Sequence, residues 1–525
     1  MSAAAAVASH ADGFGTARGR ALTAVCGVLF LTFLDTTIIS VALGSVQSDL
    51  HAGVTALQWV VNAYALVFAS LMLTVGSLGD RWGRKKIMLA GIVLFCAGSV
   101  LGALAPNVAV LIGARALMGV GAAASEPGTL SMIRHLYPES ATRSRALGVW
   151  AAVSGLALAL GPVLGGVLVG IGSWRNVFWF NLAVGVLLVV AVVRWVPESA
   201  DAQSGGVDLA GFVLVSGFLG CGIFAVIYGE TSGYGTDWII ALFVLSGVSL
   251  LGFVGAELRA RQPMLNLAYL RNPGVSGPLV VAFAIYFGIF SIFFFTALYL
   301  EEVVGYSGYR TAAQFGFMAG AMVIGSLAAG RWVGRRGARP AMTIGCVLGA
   351  VGIALTEHYI TAAHPFGPLS LSLAIAGAGF GIAVVPVTSA VLTAIPPEHS
   401  GMAASAANTV RQVGAVVGVA VLGSLVNSHL TADLSGRLRA LGIPANFQSI
   451  VIGAIEHGTV SGGSGAAANY GQIVNQVIDA AYSAFRAGLS VALWLSAAMM
   501  LGAAVIAALT VNRSSKPTPT SVASH

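Results

Sequence analysis

Apolar runs recur along this chain at the length of a bilayer crossing. A hydrocarbon core of about 30 Å needs roughly 20 apolar residues per helix. Runs of that size fall at 21–43, 56–78, 86–105, 108–132, 145–170, 177–196, 208–228, 238–256, 278–300, 312–334, 340–356, 368–392, 403–426 and 487–510. The pattern predicts fourteen transmembrane helices, the shortest at 340–356. Arg18 and Arg20 precede the first run as they would in a signal peptide, but Asp35 interrupts that run and thirteen more follow, so it reads as a first membrane helix. One long polar segment, 427–486, separates the last two helices. It is rich in Gly and Ala, opens with an amphipathic stretch at 427–441, and is expected to form a surface helix or cap without chemistry of its own.

Composition sharpens this picture. The 525 residues are 57% hydrophobic and only 9% charged, with a mean hydropathy of +0.88, against about 25% charged residues in a soluble domain. A water-soluble enzyme is excluded. The net charge of +7 forms no basic face or tail, so nucleic acid is not an expected partner. Membrane topology accounts for it instead. With the N-terminus inside, 19 of the 26 Lys and Arg fall on the cytoplasmic side, 5 on the other, and 2 (Arg115 and Arg411) within helices. Both termini, 1–20 and 511–525, are therefore expected to be cytoplasmic tails. High Ala, Gly and Val content points to a GC-rich bacterial genome and hence a bacterial cytoplasmic membrane. Cys26, Cys96, Cys221 and Cys346 lie inside apolar runs without a CxxC pair, and the nine histidines show no ligand spacing. No GxxxxGK[ST] and no nucleophile elbow occurs. No metal, cofactor or enzymatic activity is expected, and ATP is not the expected energy source.

The chain also repeats itself. Gly76-Ser-Leu-Gly-Asp-Arg-Trp-Gly-Arg-Lys85 recurs loosely as Gly330-Arg-Trp-Val-Gly-Arg-Arg-Gly-Ala-Arg339, with Asp80 replaced by Gly334. Each copy joins the second and third helices of a six-helix block. The predicted fold is thus an all-α membrane protein of two pseudo-symmetric six-helix bundles, 21–196 and 278–510, linked by a two-helix hairpin at 208–256. Secondary transporters are commonly built this way, with a site between the halves.

An ionisable residue inside a membrane helix costs at least about 2.5–3.5 kcal/mol, which makes it a functional candidate. Asp35, Arg115 and Glu126 are the three in the first half. At 1.5 Å per residue, Asp35 and Arg115 reach nearly the same depth and can pair if their helices are neighbours. Glu126 lies 11 residues past Arg115, three turns plus about 20°, so it shares that face about 16 Å closer to the cytoplasm. The pair is either a proton carrier with its counter-ion or a static bond fixing helix packing, and Glu126 is a second carrier, a cation anchor or likewise a static packing group. Arg411 reads as structural, capping the inner face beside Gln412. The fifth helix carries Gly155, Gly161, Pro162, Gly165 and Gly166, a packing seam or a flexing joint. Phe283, Phe287, Phe290 and Phe294 form one stripe on the ninth helix, suited either to lipid or to flat aromatic ligands.

These residues resemble the fourteen-helix drug:proton antiporters of the major facilitator superfamily, the EmrB/QacA branch. The likeness rests on Leu34-Asp-Thr-Thr-Ile-Ile-Ser-Val-Ala-Leu43, Gln58-Trp-Val-Val-Asn-Ala-Tyr64, Gly76 to Lys86, Leu111-Ile-Gly-Ala-Arg-Ala-Leu-Met-Gly119, Gly161-Pro-Val-Leu-Gly-Gly166 and Ala407-Asn-Thr-Val-Arg-Gln-Val-Gly414. It implies proton-driven export of amphipathic drugs or a self-made antibiotic, with Asp35 and Arg115 in the coupling machinery. It implies that Gly76, Asp80, Arg81, Gly83, Arg84 and Lys85 form a cytoplasmic latch, and that the Gly161–Gly166 motif marks an antiporter. Asn62, Tyr64 and the phenylalanine stripe become candidate contacts for an amphipathic substrate, cationic or polycyclic aromatic. Protons and the bilayer are the other expected partners, and a monomer is the expected working form. Ser40 stands where Asn is usual, Gly44 where Pro is usual, Glu126 where an apolar residue precedes Pro127, and Glu301 where Gln is frequent. An uptake carrier and a non-transporting sensor on the same fold remain as alternatives.

Overall fold

The computed structural model describes residues 16–199, 208–260, 267–360, 366–395, 400–440 and 472–511. Fourteen helices are long and apolar enough to cross a membrane, and no strand occurs among the described residues. They are α1 Ala17–Leu50, α2 Val54–Trp82, α3 Arg84–Ala103, α4 Val108–Leu136, α5 Ser140–Gly170, α6 Arg175–Trp195, α7 Leu209–Ser232, α8 Asp237–Arg259, α9 Pro273–Glu301, α10 Gly308–Arg336, α11 Ala338–Tyr359, α12 Phe366–Ala394, α13 Ser400–Ala440 and α14 Gln472–Thr510. Of the predicted tails, 1–15 and 512–525 lie outside the described residues, as does 441–471 of the polar segment predicted at 427–486, while α1 already begins at Ala17 within the predicted N-terminal tail.

Burial ranks the helices. The most apolar windows of α1 and α9 are each 89% buried, against 28% and 22% for α7 and α8. The two repeat-related helices are therefore central, and the hairpin is peripheral. Within the first half α1 packs on α5 and α6; within the second, α9 packs on α12, α13 and α14. Two seams join the halves, α5 against α10 and α2 against α13. The face carrying the α2–α3 and α10–α11 turns holds the basic clusters of the sequence and is called here the basic face; the opposite one is the far face.

The repeat is visible in the backbone. Gly83 and Gly337, aligned by the sequence repeat, sit between consecutive helices at φ of 110° and 81°. Only glycine adopts such angles without strain. Both halves thus turn from their second to their third helix on the same residue type.

Helix α5 shows how the glycine motif packs. Pro162 lies inside the helix and has no N–H for the carbonyl of Leu158, four residues back. That carbonyl accepts instead from the Thr37 hydroxyl of α1 at 3.1 Å. The approach is close because Gly161 and Gly165 lack side chains: a Cβ at either would collide with Thr37 or with the backbone of Ile38. One turn further, Gly166 meets the backbone of Gly308 on α10, and Gly155 faces Ser326 of the same helix. The motif therefore serves two contacts, one inside the first half and one across the seam.

The last loop departs from expectation. Hydropathy falls at Asn427, yet α13 continues unbroken to Ala440, and α14 begins at Gln472, well before the predicted 487. Leu430, Leu434 and Leu438 repeat every fourth residue and are buried, so the apolar stripe persists after mean hydropathy has dropped. The start of the segment is an extension of α13 and not a separate surface helix.

Replacing Thr37 by Val leaves the Leu158 carbonyl without its donor at nearly constant shape. An unpaired buried acceptor costs about 1–3 kcal/mol, so Thr37→Val is expected to lower the apparent melting temperature of the purified protein in nanodiscs, and Thr37→Ser to restore it.

Candidate coupling site

Four helices of the first half converge on Asp35. Arg115 Nη1, from α4, donates to Asp35 Oδ2 at 2.5 Å. Asn181 Nδ2, from α6, donates to Asp35 Oδ1 at 2.7 Å. Arg115 Nε donates to the Val60 carbonyl of α2 at 2.9 Å, and the guanidinium stacks over Tyr64 with its carbon 4.5 Å from the ring centroid. Tyr64 is in turn fixed by its hydroxyl, which donates to the Thr32 carbonyl at 2.9 Å. Asp35, Arg115 and Asn181 are all completely buried. The expected meeting of Asp35 and Arg115 thus occurs, and it occurs within one bundle, not between the halves.

The pair is not fully satisfied. Arg115 Nη2 and Asn181 Oδ1 make no hydrogen bond among the described residues. Buried groups left this way are uncommon and cluster where something must bind or move. In the sequence Asn181 marks only the end of a stretch from Trp174 that matches the resembled family and is not among the candidate site residues; its signal is an amide set among the apolar residues of α6.

Glu126 lies elsewhere. Pro127 follows it and breaks α4 into Val108–Ser125 and Pro127–Leu136. The Glu126 carbonyl accepts from the Thr129 hydroxyl at 2.6 Å, and Trp150 Nε1 holds that hydroxyl at 3.0 Å. The side chain reaches the second half, where Asn408 Nδ2 of α13 donates to Glu126 Oε1 at 2.9 Å. Asn408 Oδ1 accepts from Arg411 Nη1 at 3.0 Å, and Arg411 Nη2 donates to the Thr388 hydroxyl of α12. The Arg411 guanidinium lies 5.7 Å from the Tyr286 ring centroid. Arg411 is therefore part of a buried network that joins α4 of the first half to α13 and α12 of the second, not a cap at a helix end. Glu126 Oε2 makes no hydrogen bond among the described residues.

Other candidate residues distribute as follows. Asn62 is fully buried, and neither of its side-chain polar atoms finds a partner among the described residues. Phe287, Phe290 and Phe294 are buried and so do not face lipid, while Phe283 is partly buried. Gly414 and Gly418 let α13 approach the α9 backbone at Phe283 and Phe287. The stripe is thus enclosed by neighbouring helices.

At the basic face, Glu198 and Ser199, just past α6, cap the start of α3. Arg84 N donates to the Ser199 carbonyl at 2.9 Å and Lys85 N to Glu198 Oε1 at 3.1 Å. A carboxylate at a helix N-terminus answers both the free N–H groups and the helix dipole. A Cβ on Gly83 would strike the Glu198 carboxyl. Arg81 is exposed, while the surroundings of Gly76 and Asp80 lie outside the described residues. Glu198 was missed from sequence, where Pro197-Glu-Ser after a membrane helix was its only trace.

At the far face, Gly44 N of α1 donates to Glu301 Oε2 of α9 at 3.2 Å. The usual proline at position 44 could not make this bond, for it has no N–H. Two departures from the resembled family pattern, 257 residues apart in the chain, thus meet in one bond that ties the halves together.

Comparison with known proteins agrees with this architecture. The sequence profile described as Major Facilitator Superfamily matches residues 25–419. The chain is 33% identical over 413 residues to "Multidrug resistance protein Stp" of Mycobacterium tuberculosis (strain CDC 1551 / Oshkosh), covering 78% of this chain and 76% of that one. It is 30% identical to "Multidrug efflux pump LfrA" of Mycolicibacterium smegmatis over 94% and 96% of the two chains. It is 29% identical to "Tetracenomycin C resistance and export protein" of Streptomyces glaucescens over 94% and 92%. Among solved structures, a bacterial homolog of the human lysosomal transporter Spinster, inward-facing and unoccupied, superposes with a TM-score of 0.63 at 17% identity, over 94% of this chain and 98% of that one. With fourteen helices, an internal repeat and this match over most of its length, the chain belongs to the Major Facilitator Superfamily.

Proposed function

We propose that this multi-pass membrane protein exports amphipathic drugs or antibiotics in exchange for protons. The observation that carries the reading is the Asp35–Arg115–Asn181 cluster: a carboxylate buried beyond reach of water, held by one arginine and one amide. Charge in such a place is costly, and its most economical use is a proton that is taken up and released. The efflux and resistance proteins to which the chain is similar support the direction of transport.

In this reading the basic face is cytoplasmic, as the Lys and Arg distribution favours. Asp35 carries the proton and Arg115 its counter-charge. Moving an arginine away from a carboxylate in a medium of low dielectric favours protonation of the carboxylate. Thr37, two residues from Asp35, already joins α1 to the Leu158 carbonyl that Pro162 leaves free in α5, so a shift of α1 reaches the α5–α10 seam directly. Glu126, on the boundary between halves with Oε2 uncommitted, is the anchor for a cationic substrate. The turn from Gly76 to Lys85 acts as the cytoplasmic latch, with Glu198 positioning its helix.

Two outcomes test this. In everted vesicles, Asp35→Asn is expected to reduce protonophore-sensitive drug uptake to background at normal protein level; transport that persists unchanged rules out Asp35 as the carrier. Glu126→Gln is expected to weaken transport of lipophilic cations while neutral aromatics continue. An unchanged substrate range and proton stoichiometry removes Glu126 from both roles.

A further inference from the structure

The peripheral hairpin is more than a connector. Tyr234, in the α7–α8 turn, donates to the Val226 carbonyl at 3.2 Å and hydrogen-bonds the Ser424 hydroxyl of α13 at 2.5 Å. That anchors the hairpin over the α2–α13 seam. The other seam, α5 against α10, is closed by glycine contacts, so the halves are joined asymmetrically.

Between the hairpin and α2 lie two open clefts of about 600 and 970 Å³ that share Trp59 of α2 and Phe224 of α7 as a common wall. The smaller runs along α8 from Trp238 to Leu245 and along α2 from Trp59 to Leu66, seven residues in each case, or roughly 10 Å into the membrane from the far face. Its lining is aliphatic and aromatic, with Cys221 the one sulfur. The larger reaches the far-face rim at His51 and Thr55 and touches Asn427 of α13, which makes it continuous with the seam.

Four aromatic rings gather there. Phe224 stacks on Tyr228 at 4.5 Å and 24°, Trp59 lies 5.3 Å from Phe224, and Trp238 lies 6.5 Å from both Phe224 and Tyr228. Residues of an ordinary interfacial belt stand at headgroup level and need no such convergence. Here three helices bring rings together between an apolar-lined cleft and a rim with polar groups. Phe224 and Trp238 keep 38% and 42% of their surface exposed, so part of each ring is left uncovered by neighbouring side chains.

We propose that the hairpin and α2 form a binding site for planar aromatic amphiphiles, continuous with the seam between the halves and open to the far-face leaflet. Aromatic faces favour an offset-stacked flat ring, and no acidic or basic side chain other than His51 lines either cavity, so shape and π-stacking select the ligand more than charge does. This rests on the export reading only for its purpose, a departure site for a substrate leaving into the bilayer. Binding itself is independent of proton coupling.

Cys221 supplies the readout, since Cys26, Cys96 and Cys346 are buried and Cys221 is only partly so. The full chain in nanodiscs is alkylated with N-ethylmaleimide and the modified cysteine located by mass spectrometry. Ethidium, planar and aromatic, is expected to slow Cys221 alkylation saturably, by about tenfold at ten times its half-protecting concentration. Tetraphenylphosphonium, of equal charge but not planar, is expected to give little protection. Trp238→Ala and Phe224→Ala are expected to abolish protection, and Leu251→Ala, on the exposed side of α8 outside the cavities, to leave it intact. Asp35→Asn is expected to lose transport and keep protection, which separates this site from the coupling mechanism. Equal protection by both cations, protection by neither, or alkylation that responds only to the acyl chains of the nanodisc lipid overturns the proposal.

Discussion

Hydrocarbon does not tolerate an unpaired charge, and this structure is arranged around that constraint. Asp35 and Arg115 are buried completely and 2.5 Å apart. Removing either partner of such a pair leaves a charge that costs several kcal/mol, so the four helices that supply Asp35, Arg115, Asn181 and Val60 must arrive together. The cluster consequently fixes the packing of α1, α2, α4 and α6. In the proposed exchange, a change in the protonation of Asp35 acts first on α1, which carries it. Thr37 links α1 to α5 two residues further on, and Gly44 links it to Glu301 of α9 near its end.

The same helix therefore touches the charge site, the α5 bend and the other half of the molecule. Its geometry follows from this. Thr36, Thr37 and Ser40 each bond back to a carbonyl three residues earlier, and the helix tightens into a 3₁₀ segment at Ile39–Ala42. Its repeat partner α9 does the reverse, widening into π segments at Ile292–Thr296 and Tyr299–Val303. Such irregular turns occur in helices at functional sites. Here they sit on the far-face sides of the two most buried helices, where the halves meet.

Much of the fold could be read from sequence because the bilayer imposes a single length scale on apolar runs, and all fourteen helices lie where that scale placed them. The short run at 340–356 is a full helix, Ala338–Tyr359; Glu357, the first charged residue past the run, is held by Arg486 and Ser490 of α14. Hydropathy fails at 427–440, where a one-sided leucine stripe, not average polarity, decides that α13 continues. Within the site, depth arithmetic is enough to pair Asp35 with Arg115, since both belong to one bundle and the helical rise sets their level. It cannot place Glu126 against Asn408, because that contact depends on how two bundles face one another. For the same reason sequence offers only a cap for Arg411, and gives no site role to Asn181 or Glu198.

The distribution of polar groups across the halves has a further consequence. The Asp35 cluster is enclosed in the first bundle, whereas the Glu126–Asn408–Arg411–Thr388 network spans both. If α1 moves when Asp35 changes charge, the second network must be broken or stretched for the halves to separate, because Glu126 and Asn408 sit on opposite sides of the boundary. Glu126 Oε2 has no hydrogen-bond partner among the described residues, and a carboxylate released from Asn408 takes its compensation from water, a proton or a cation. Under the proposed exchange, the conformational change that opens the boundary is therefore also the one that frees Glu126 for a positive ligand.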